Sequence, residues 1–338
     1  MKLRKIEVMK RWIVGDGKLT LEQVARPEPG PGEVLVQMKA AAINSRDLGI
    51  LGGFYPHRSG VVALSDGAGV VAGLGAGVSD WAVGDAVVGC FFPYWESGPA
   101  NADTHRTTLG SYMDGALAEY AVIPATGLVK KPETLNFVEA ASLPCAAVTA
   151  WSALFTEGAL RAGQHVLVIG TGGVATFAIM LAKMAGALVT VISSSDARLA
   201  EAKALGADDG INYVSVPEWD TELLARTGGH GVDLVVELGG AGTLLKSMTA
   251  VAIGGRICVI GLISGVTATL PLVGILARAS RIIGITVGHR QDFKTMNAAI
   301  DLNGLKPVIA KRFGFDAAPD CYAALTAGGV FGKLVIEI

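Results

Sequence analysis

Residues 165–175 read HVLVIGTGGVA, in which Gly170, Gly172 and Ala175 stand at the spacing G-x-G-x-x-G/A. The apolar run 166–169 precedes them as a buried strand would, and residues 177–185, FAIMLAKMA, follow as an apolar helix with one lysine. A pyrophosphate needs such a turn. It approaches the backbone amides at a helix N-terminus, where missing side chains permit contact and the helix dipole favours negative charge. Gly170, Thr171, Gly172, Gly173 and Val174 are therefore predicted to bind a dinucleotide.

The elements that would position this turn form an α/β chain. From residue 136 the pattern becomes helical, and strand and helix then alternate to about residue 288. Strands are predicted at 166–169, 188–192, 211–213, 232–237, 256–260 and 281–287, with helices between them. Such an order makes a doubly wound parallel sheet whose ligand lies at the strand carboxyl ends. Gly239 and Gly261, just past two of these strands, are placed with the cofactor-binding residues. Residues 5–75 are β-rich instead, with candidates at 6–14, 19–24, 33–42 and 61–74 and a turn cluster PEPGPG at 27–32. The last stretch, 291–338, holds helix, strand, helix and the terminal strand LVIEI, and is expected to return to the first domain.

Composition excludes several classes. Hydrophobic residues make up 51% and charged residues 17% of 338, and 257–277 carries no charge. That stretch is broken by glycine, serine, threonine and proline, so no membrane span is predicted. The opening MKLRKIEVMKRW lacks a long apolar run, and no signal peptide is expected. A net charge of -2 offers no surface for nucleic acid. Four cysteines, at 90, 145, 258 and 321, form no C-x-x-C pair, which fits neither a disulfide framework nor a zinc knuckle and suits the cytoplasm.

The motifs AAINSRD (41–47), Gly84-Asp85, GALAEY (115–120), LPCAAVTAWSA (143–153), GTGGVA (170–175) and Gly332-Lys333 occur in one order along the chain. In this it resembles the medium-chain dehydrogenase/reductase superfamily. The resemblance implies a GroES-like β domain at 1–128 and 290–338, with a Rossmann domain at 129–289. The zinc-dependent branch binds its metal through Cys, His and Cys, at positions that match Asn44, Ser65 and Cys145 here. Two of the three are poor ligands, so no zinc is expected. The structural zinc lobe would need four cysteines between Gly84 and Gly115, where Cys90 stands alone.

The pattern N-x-x-D…G-x-Y-P, with Asn44, Asp47, Gly53, Tyr55 and Pro56, resembles the zinc-independent quinone oxidoreductase-like branch. There a hydride goes to an electron-poor carbon without a metal, provided a donor sits near the acceptor's oxygen. The resemblance makes Asn44 and Tyr55 the catalytic candidates. Tyr55 either donates the proton or is a wall of the pocket, with water as the source. Asp47 is expected to anchor its loop. Thr149 matches a threonine near the nicotinamide, and Lys333 a basic residue near the cofactor phosphates. Each also has an ordinary reading, as a helix hydroxyl and a solvated lysine.

NAD-preferring members carry an acid at the end of the second Rossmann strand. Here the position is Ser193, followed by Ser194 and Ser195, with Arg198 beyond. Hydroxyls and a guanidinium can bind a 2'-phosphate, so NADPH (NADP+) is the predicted cofactor. Asp196 is read as a helix N-cap. The long segment 91–114 would border the substrate entrance with Phe91, Phe92, Tyr94 and Trp95, unless these rings pack as a satellite core. His289, past the last sheet strand, is the one histidine expected to face the cleft between the domains.

The sequence thus reads as a zinc-independent, NADPH-dependent reductase of an activated C=C bond or quinone acting on a small molecule. A carbonyl reductase or alcohol dehydrogenase lacking zinc competes with it, as does a non-enzymatic NADPH-binding sensor. A homodimer or homotetramer is expected, pairing through the sheet edge at 281–287.

Overall fold

The computed structural model describes residues 7–338, and the chain divides into two compact units. The first takes the chain up to Cys145 together with His289–Gly329 and Lys333–Ile338; the second takes Ala146–Gly288 and Val330–Gly332. The crossing expected at residue 128 therefore lies at 145. Helix Phe137–Ala141 packs on strands Glu33–Ala42 and Asp66–Leu74, and this keeps it with the first unit.

The second unit is built on a six-stranded sheet. Its order is Asp209–Asn212, Leu188–Ser193, His165–Ile169, Val232–Glu237, Val251–Val259, Arg281–Gly284, every pair parallel. A sheet covered on both faces demands near-continuous apolar strands. Val166, Leu167 and Val168 meet that demand with 0% exposure, and Val235 and Val236 beside them are equally enclosed. Strand Val251–Val259 starts five residues before the predicted 256, because its middle is a bulge: Gly254 has φ +77° and the register slips between Val232 and Leu234 of its neighbour. The glycine pair there reads as a turn in sequence and is a kink within one strand.

Arg281–Gly284 is the sheet's edge. Near it in sequence, helix Leu272–Arg278 has no buried residue, and Ile263 and Leu276 are 83% and 79% exposed. Among the described residues no helix is long and apolar enough to cross a membrane. The charge-free stretch 257–277 resolves into a strand end, a loop and this short helix. The opening MKLRKI, including the start of the strand predicted at 6–14, lies outside the described residues; the strand seen there is Val8–Gly15.

The first unit pairs Val8–Gly15 with Lys18–Ala25 and Val61–Val62 in a small sheet, beside a larger seven-stranded one. The C-terminal segment does return to it. Ile309–Gly314 pairs with Lys333–Glu337, which runs antiparallel to Glu33–Ala42 with Val335 opposite Ala42. That register sets Lys333 level with residue 44, and the Ile43 amide donates to Leu334 O at 3.3 Å.

The enclosed sheet centre makes a direct expectation. Leu167→Ala leaves a cavity with no solvent access, which should lower unfolding free energy by about 2–5 kcal/mol. Urea unfolding followed by tryptophan fluorescence checks this; an unchanged midpoint would contradict the packing described.

Candidate active site

The fingerprint turn has the form its composition predicts. Gly170 leaves the central strand with φ +94°, its amide donating to Ile192 O at 2.8 Å, and Gly172 is the N-cap of helix Gly173–Met184. The helix begins a turn earlier than the apolar run at 177 suggests. No side chain caps it among the described residues, and a Cβ built on Gly170 or Gly172 would meet nothing within 4 Å. Space and free amides therefore coincide above the helix start, as a bound pyrophosphate requires. Thr171 and Ala175 face the protein interior, and Gly172 forms an isolated bridge with Gly332.

At the end of the second strand Ser193 is buried, and its Oγ accepts from the Ser195 amide at 3.4 Å. Arg198 Nη2 donates to Ser194 Oγ at 2.7 Å, which draws the guanidinium over the turn. Its Nε is buried with no partner among the described residues. Ser195, not Asp196, is the N-cap of helix Asp196–Ala204, accepting from the Arg198 amide; Asp196 instead accepts from Asn212 Nδ2 at 2.9 Å. The N-cap expected at Asp196 therefore falls one residue earlier.

Glu237 shapes the neighbouring loop, and sequence reasoning passed over it. It is 0% exposed and accepts from the Gly239 and Gly240 amides, from Thr243 Oγ1 at 2.6 Å and from Ser247 Oγ. An acid at the end of the apolar run LVV, one residue before two glycines, was the available signal. Gly239 and Gly261 are also tightly packed: a Cβ on Gly261 would lie 2.0 Å from Leu238 O, and one on Gly239 2.3 Å from Thr243 Oγ1. Thr149 is buried in a short α segment between two π turns, Leu143–Ala147 and Ser152–Thr156. Such turns recur where a helix is bent for function.

In the first unit Asn44 is the N-cap of helix Ser45–Leu51, and its amide N–H donates to Asp47 Oδ2 at 2.8 Å. Burial raises Asp47 to about 6, against the lowering pull of Arg46, the Asn44 amide and Lys333. Lys333 departs from expectation. It is 3% exposed, and its ammonium donates to Ile43 O at 2.7 Å and to Asn44 Oδ1, so it is not the phosphate-facing or solvated lysine the sequence suggested. The antiparallel register places it there.

The positions matching zinc ligands are otherwise engaged. Ser65 Oγ donates to Asp66 Oδ1 at 2.6 Å, the Cys145 amide donates to Asp66 Oδ2 at 3.0 Å, and Asn44 Oδ1 faces an ammonium. Burial and the Asp66 charge push the Cys145 thiol up, away from the thiolate that metals bind. This donor set does not fit zinc. Among the described residues no group of three or more His, Cys, Asp or Glu side chains is arranged to hold a metal. Cys90 is buried, its thiol raised to about 12.

Tyr55 follows the same helix and is 39% exposed. Its ring lies against Gly49, where a Cβ would come within 2.6 Å, and edge-on to Phe54 at 4.8 Å. Of the rings expected to wall a substrate, Phe91 and Phe92 are core residues at 6% and 3% exposure, Phe91 lying under the Arg46 guanidinium. For these two the satellite-core reading holds. Trp95 stacks edge-on with Phe92 and with His289, while Tyr94 is exposed. His289 is an N-cap, its Nδ1 accepting from the Asp292 amide at 2.9 Å, a role the sequence reading did not give it. Tyr94 and Trp95 do border a depression of about 480 Å³, shared with Asn101, Asp103, Thr104 and Thr107.

Residues 30–133 match the alcohol dehydrogenase GroES-like domain model, and residues 173–302 the zinc-binding dehydrogenase model. The latter span contains none of the three ligand positions. A zinc-type alcohol dehydrogenase-like protein of Schizosaccharomyces pombe is 44% identical over 336 residues, covering 96% of this chain and 97% of that one. An acryloyl-coenzyme A reductase of Sulfurisphaera tokodaii is 29% identical, covering 94% and 96%. Among solved structures, a putative alcohol dehydrogenase from Sinorhizobium meliloti 1021 superposes with a TM-score of 0.93 at 39% identity, covering 99% and 100%.

Asp47 carries a pH signature. Its folded value of about 6 exceeds the ordinary 3.8, so the folded state holds a proton that the unfolded state releases. Stability should therefore fall as pH rises from 3.8 to about 6 and level off above. Asp47→Asn keeps an acceptor for the Asn44 amide and should remove about 2–3 kcal/mol of that slope. Thermal midpoints measured across this window check it; equal slopes in the two proteins would contradict a buried, proton-retaining carboxyl.

Proposed function

Because the chain belongs to the medium-chain dehydrogenase/reductase superfamily and is an alcohol dehydrogenase-like oxidoreductase, we propose that it is a zinc-independent, NADPH-dependent reductase of an activated C=C bond or quinone. The observation that carries this reading is the donor set at the three metal positions, where Asn44 and Ser65 replace ligands and an ammonium faces Asn44. The Sulfurisphaera relative is named for reduction of acryloyl-coenzyme A, an alkene conjugated to a carbonyl. The names of the other relatives are those of alcohol dehydrogenases, one of them zinc-type, and they support the carbonyl or alcohol chemistry of the second reading, an alcohol dehydrogenase or carbonyl reductase, without supporting its lack of zinc.

When bound, a dihydronicotinamide supplies a hydride and with it two electrons. The chain's part is to bind and to stabilise. Amides of the turn at Gly170–Gly172 and the start of the following helix take the pyrophosphate, while Ser193, Ser194 and Arg198 take the 2'-phosphate. As hydride adds to the electron-poor carbon, the π electrons shift onto the acceptor's oxygen, where a hydrogen-bond donor lowers the barrier. A proton from Tyr55 or water then completes the product.

A second copy of the chain is proposed as partner. Edge strand Arg281–Gly284 offers unpaired backbone groups, and exposed Ile263, Leu272, Val273 and Leu276 offer apolar area beside it in the sequence. A two-fold pairing of this surface gives a homodimer, the unit from which a homotetramer would be built. In sedimentation velocity, Leu276→Asp with Ile263→Asp should convert the dimer to monomer; a wild-type monomer would dismiss the surface.

The functional test is NADPH oxidation against quinones, 2-alkenals, cyclic enones and saturated aldehydes, with and without a chelator. Activity on the conjugated acceptors that survives chelation is expected. Loss with chelator would defeat zinc independence, turnover of saturated aldehydes alone would favour the second reading, and tight NADPH binding with no oxidation would leave a sensor. Ser193→Asp should weaken NADPH binding by about tenfold or more relative to NADH, read by cofactor fluorescence; unchanged affinity would move the 2'-phosphate elsewhere.

A further inference from the structure

Lys333 meets Asn44 inside the first unit, and the chemistry of the pair determines how the amide must sit. An ammonium has three donors and no acceptor, so the side-chain atom facing it has to be Oδ1. The planar amide then turns Nδ2 away from the lysine. Asn44 is 9% exposed, and Nδ2 is buried without a hydrogen-bond partner among the described residues. Buried donors are nearly always paired, so one left open marks a place for an acceptor the protein does not itself contain.

The lysine is in turn held on two sides. Its backbone lies at the start of the strand that pairs with Glu33–Ala42, and its ammonium also binds Ile43 O at 2.7 Å. Asp47, next to the pair, fixes the Asn44 backbone through its amide. The Asn44 backbone and the Oδ1 end of its side-chain amide are therefore set before any ligand arrives.

We propose that Lys333 is a positioning residue that locks the Asn44 amide with Nδ2–H presented to the carbonyl oxygen of the acceptor, supplying through Asn44 the positive charge that a metal supplies in zinc-dependent relatives. The inference rests on the reading that the chain reduces a carbonyl-bearing acceptor. A cation hydrogen-bonded to Oδ1 polarises the amide, and its Nδ2–H becomes a stronger donor to the oxygen that gains charge during hydride addition. Asn44 is the catalytic residue and Lys333 acts through it.

The test compares Lys333→Met, Lys333→Arg, Asn44→Ala and the double variant Lys333→Met with Asn44→Ala, using NADPH and the best acceptor of the panel. For Lys333→Met, kcat should fall about 100-fold while the NADPH Kd from fluorescence titration stays within about twofold. Lys333→Arg should restore most of the loss, and the double variant should be no slower than Asn44→Ala. An unchanged kcat, a large rise in NADPH Kd with kcat retained, or losses that multiply in the double variant would overturn the proposal. A second measurement needs no turnover: the Asn44 side-chain amide resonances of 15N-labelled protein should shift in Lys333→Met and return in Lys333→Arg. Identical resonances in all three proteins would overturn the pair. If no acceptor is reduced, the functional reading falls alone and the resonances still decide the positioning role.

Discussion

A buried ammonium obliges the chain around it to provide acceptors, and most features of the first unit's site follow from that obligation at Lys333. A carbonyl and an amide oxygen come from the segment just past strand Glu33–Ala42, which the C-terminal strand reaches by antiparallel pairing. The carboxyls of Asp47 and Asp66 lie in the same region and share the charge balance with Lys333, Arg46 and Cys145. Asp66 binds Ser65 and the Cys145 amide, which ties the strand Asp66–Leu74 to the end of the first unit. The C-terminal return is therefore part of the site and not a structural appendix.

The second unit obeys a different constraint, set by the parallel sheet. Enclosed strands leave their polar groups and special backbone at their ends, and the carboxyl ends gather the turn at Gly170, the serines at 193–195, the loop held by Glu237 and the close approach at Gly261. Glu237 offsets the cost of its burial by four accepted hydrogen bonds, which tie the loop after its strand to the helix that follows.

Sequence made the second unit legible because its signals are local. An apolar run, a glycine spacing and the helix behind it are consecutive between His165 and Met184, and each is forced by the sheet. The bulge at Gly254 was lost because a glycine with positive φ looks the same in a turn and in a kinked strand. The first unit's site depends on distance along the chain: Lys333 and Asn44 are 289 residues apart, and no periodicity reports that contact. Phe91 and Phe92 misled, and the capping role of His289 was missed, for a related reason. Aromatic and histidine side chains suit a pocket wall, a core and a helix cap equally well in composition, and only the tertiary neighbours of each, Arg46, Trp95 and the Asp292 amide, distinguish the uses.

In the proposed reading, an amide backed by a lysine stands where a metal would, and this changes which acceptors suit the site. A divalent ion binds the reacting oxygen directly and stabilises a full alkoxide. One neutral N–H, even polarised, contributes about 2.7–4 kcal/mol at most in comparable donors. The remaining stabilisation has to come from the substrate, and conjugated acceptors provide it by spreading charge into an enolate or a quinol. A saturated aldehyde lacks that help and needs a proton delivered as its alkoxide forms, a task that falls on Tyr55, whose ring is 39% exposed and braced against Gly49. Under that proposal the same pair of residues that takes the metal's place would bias the chemistry toward acceptors that carry their own electron sink.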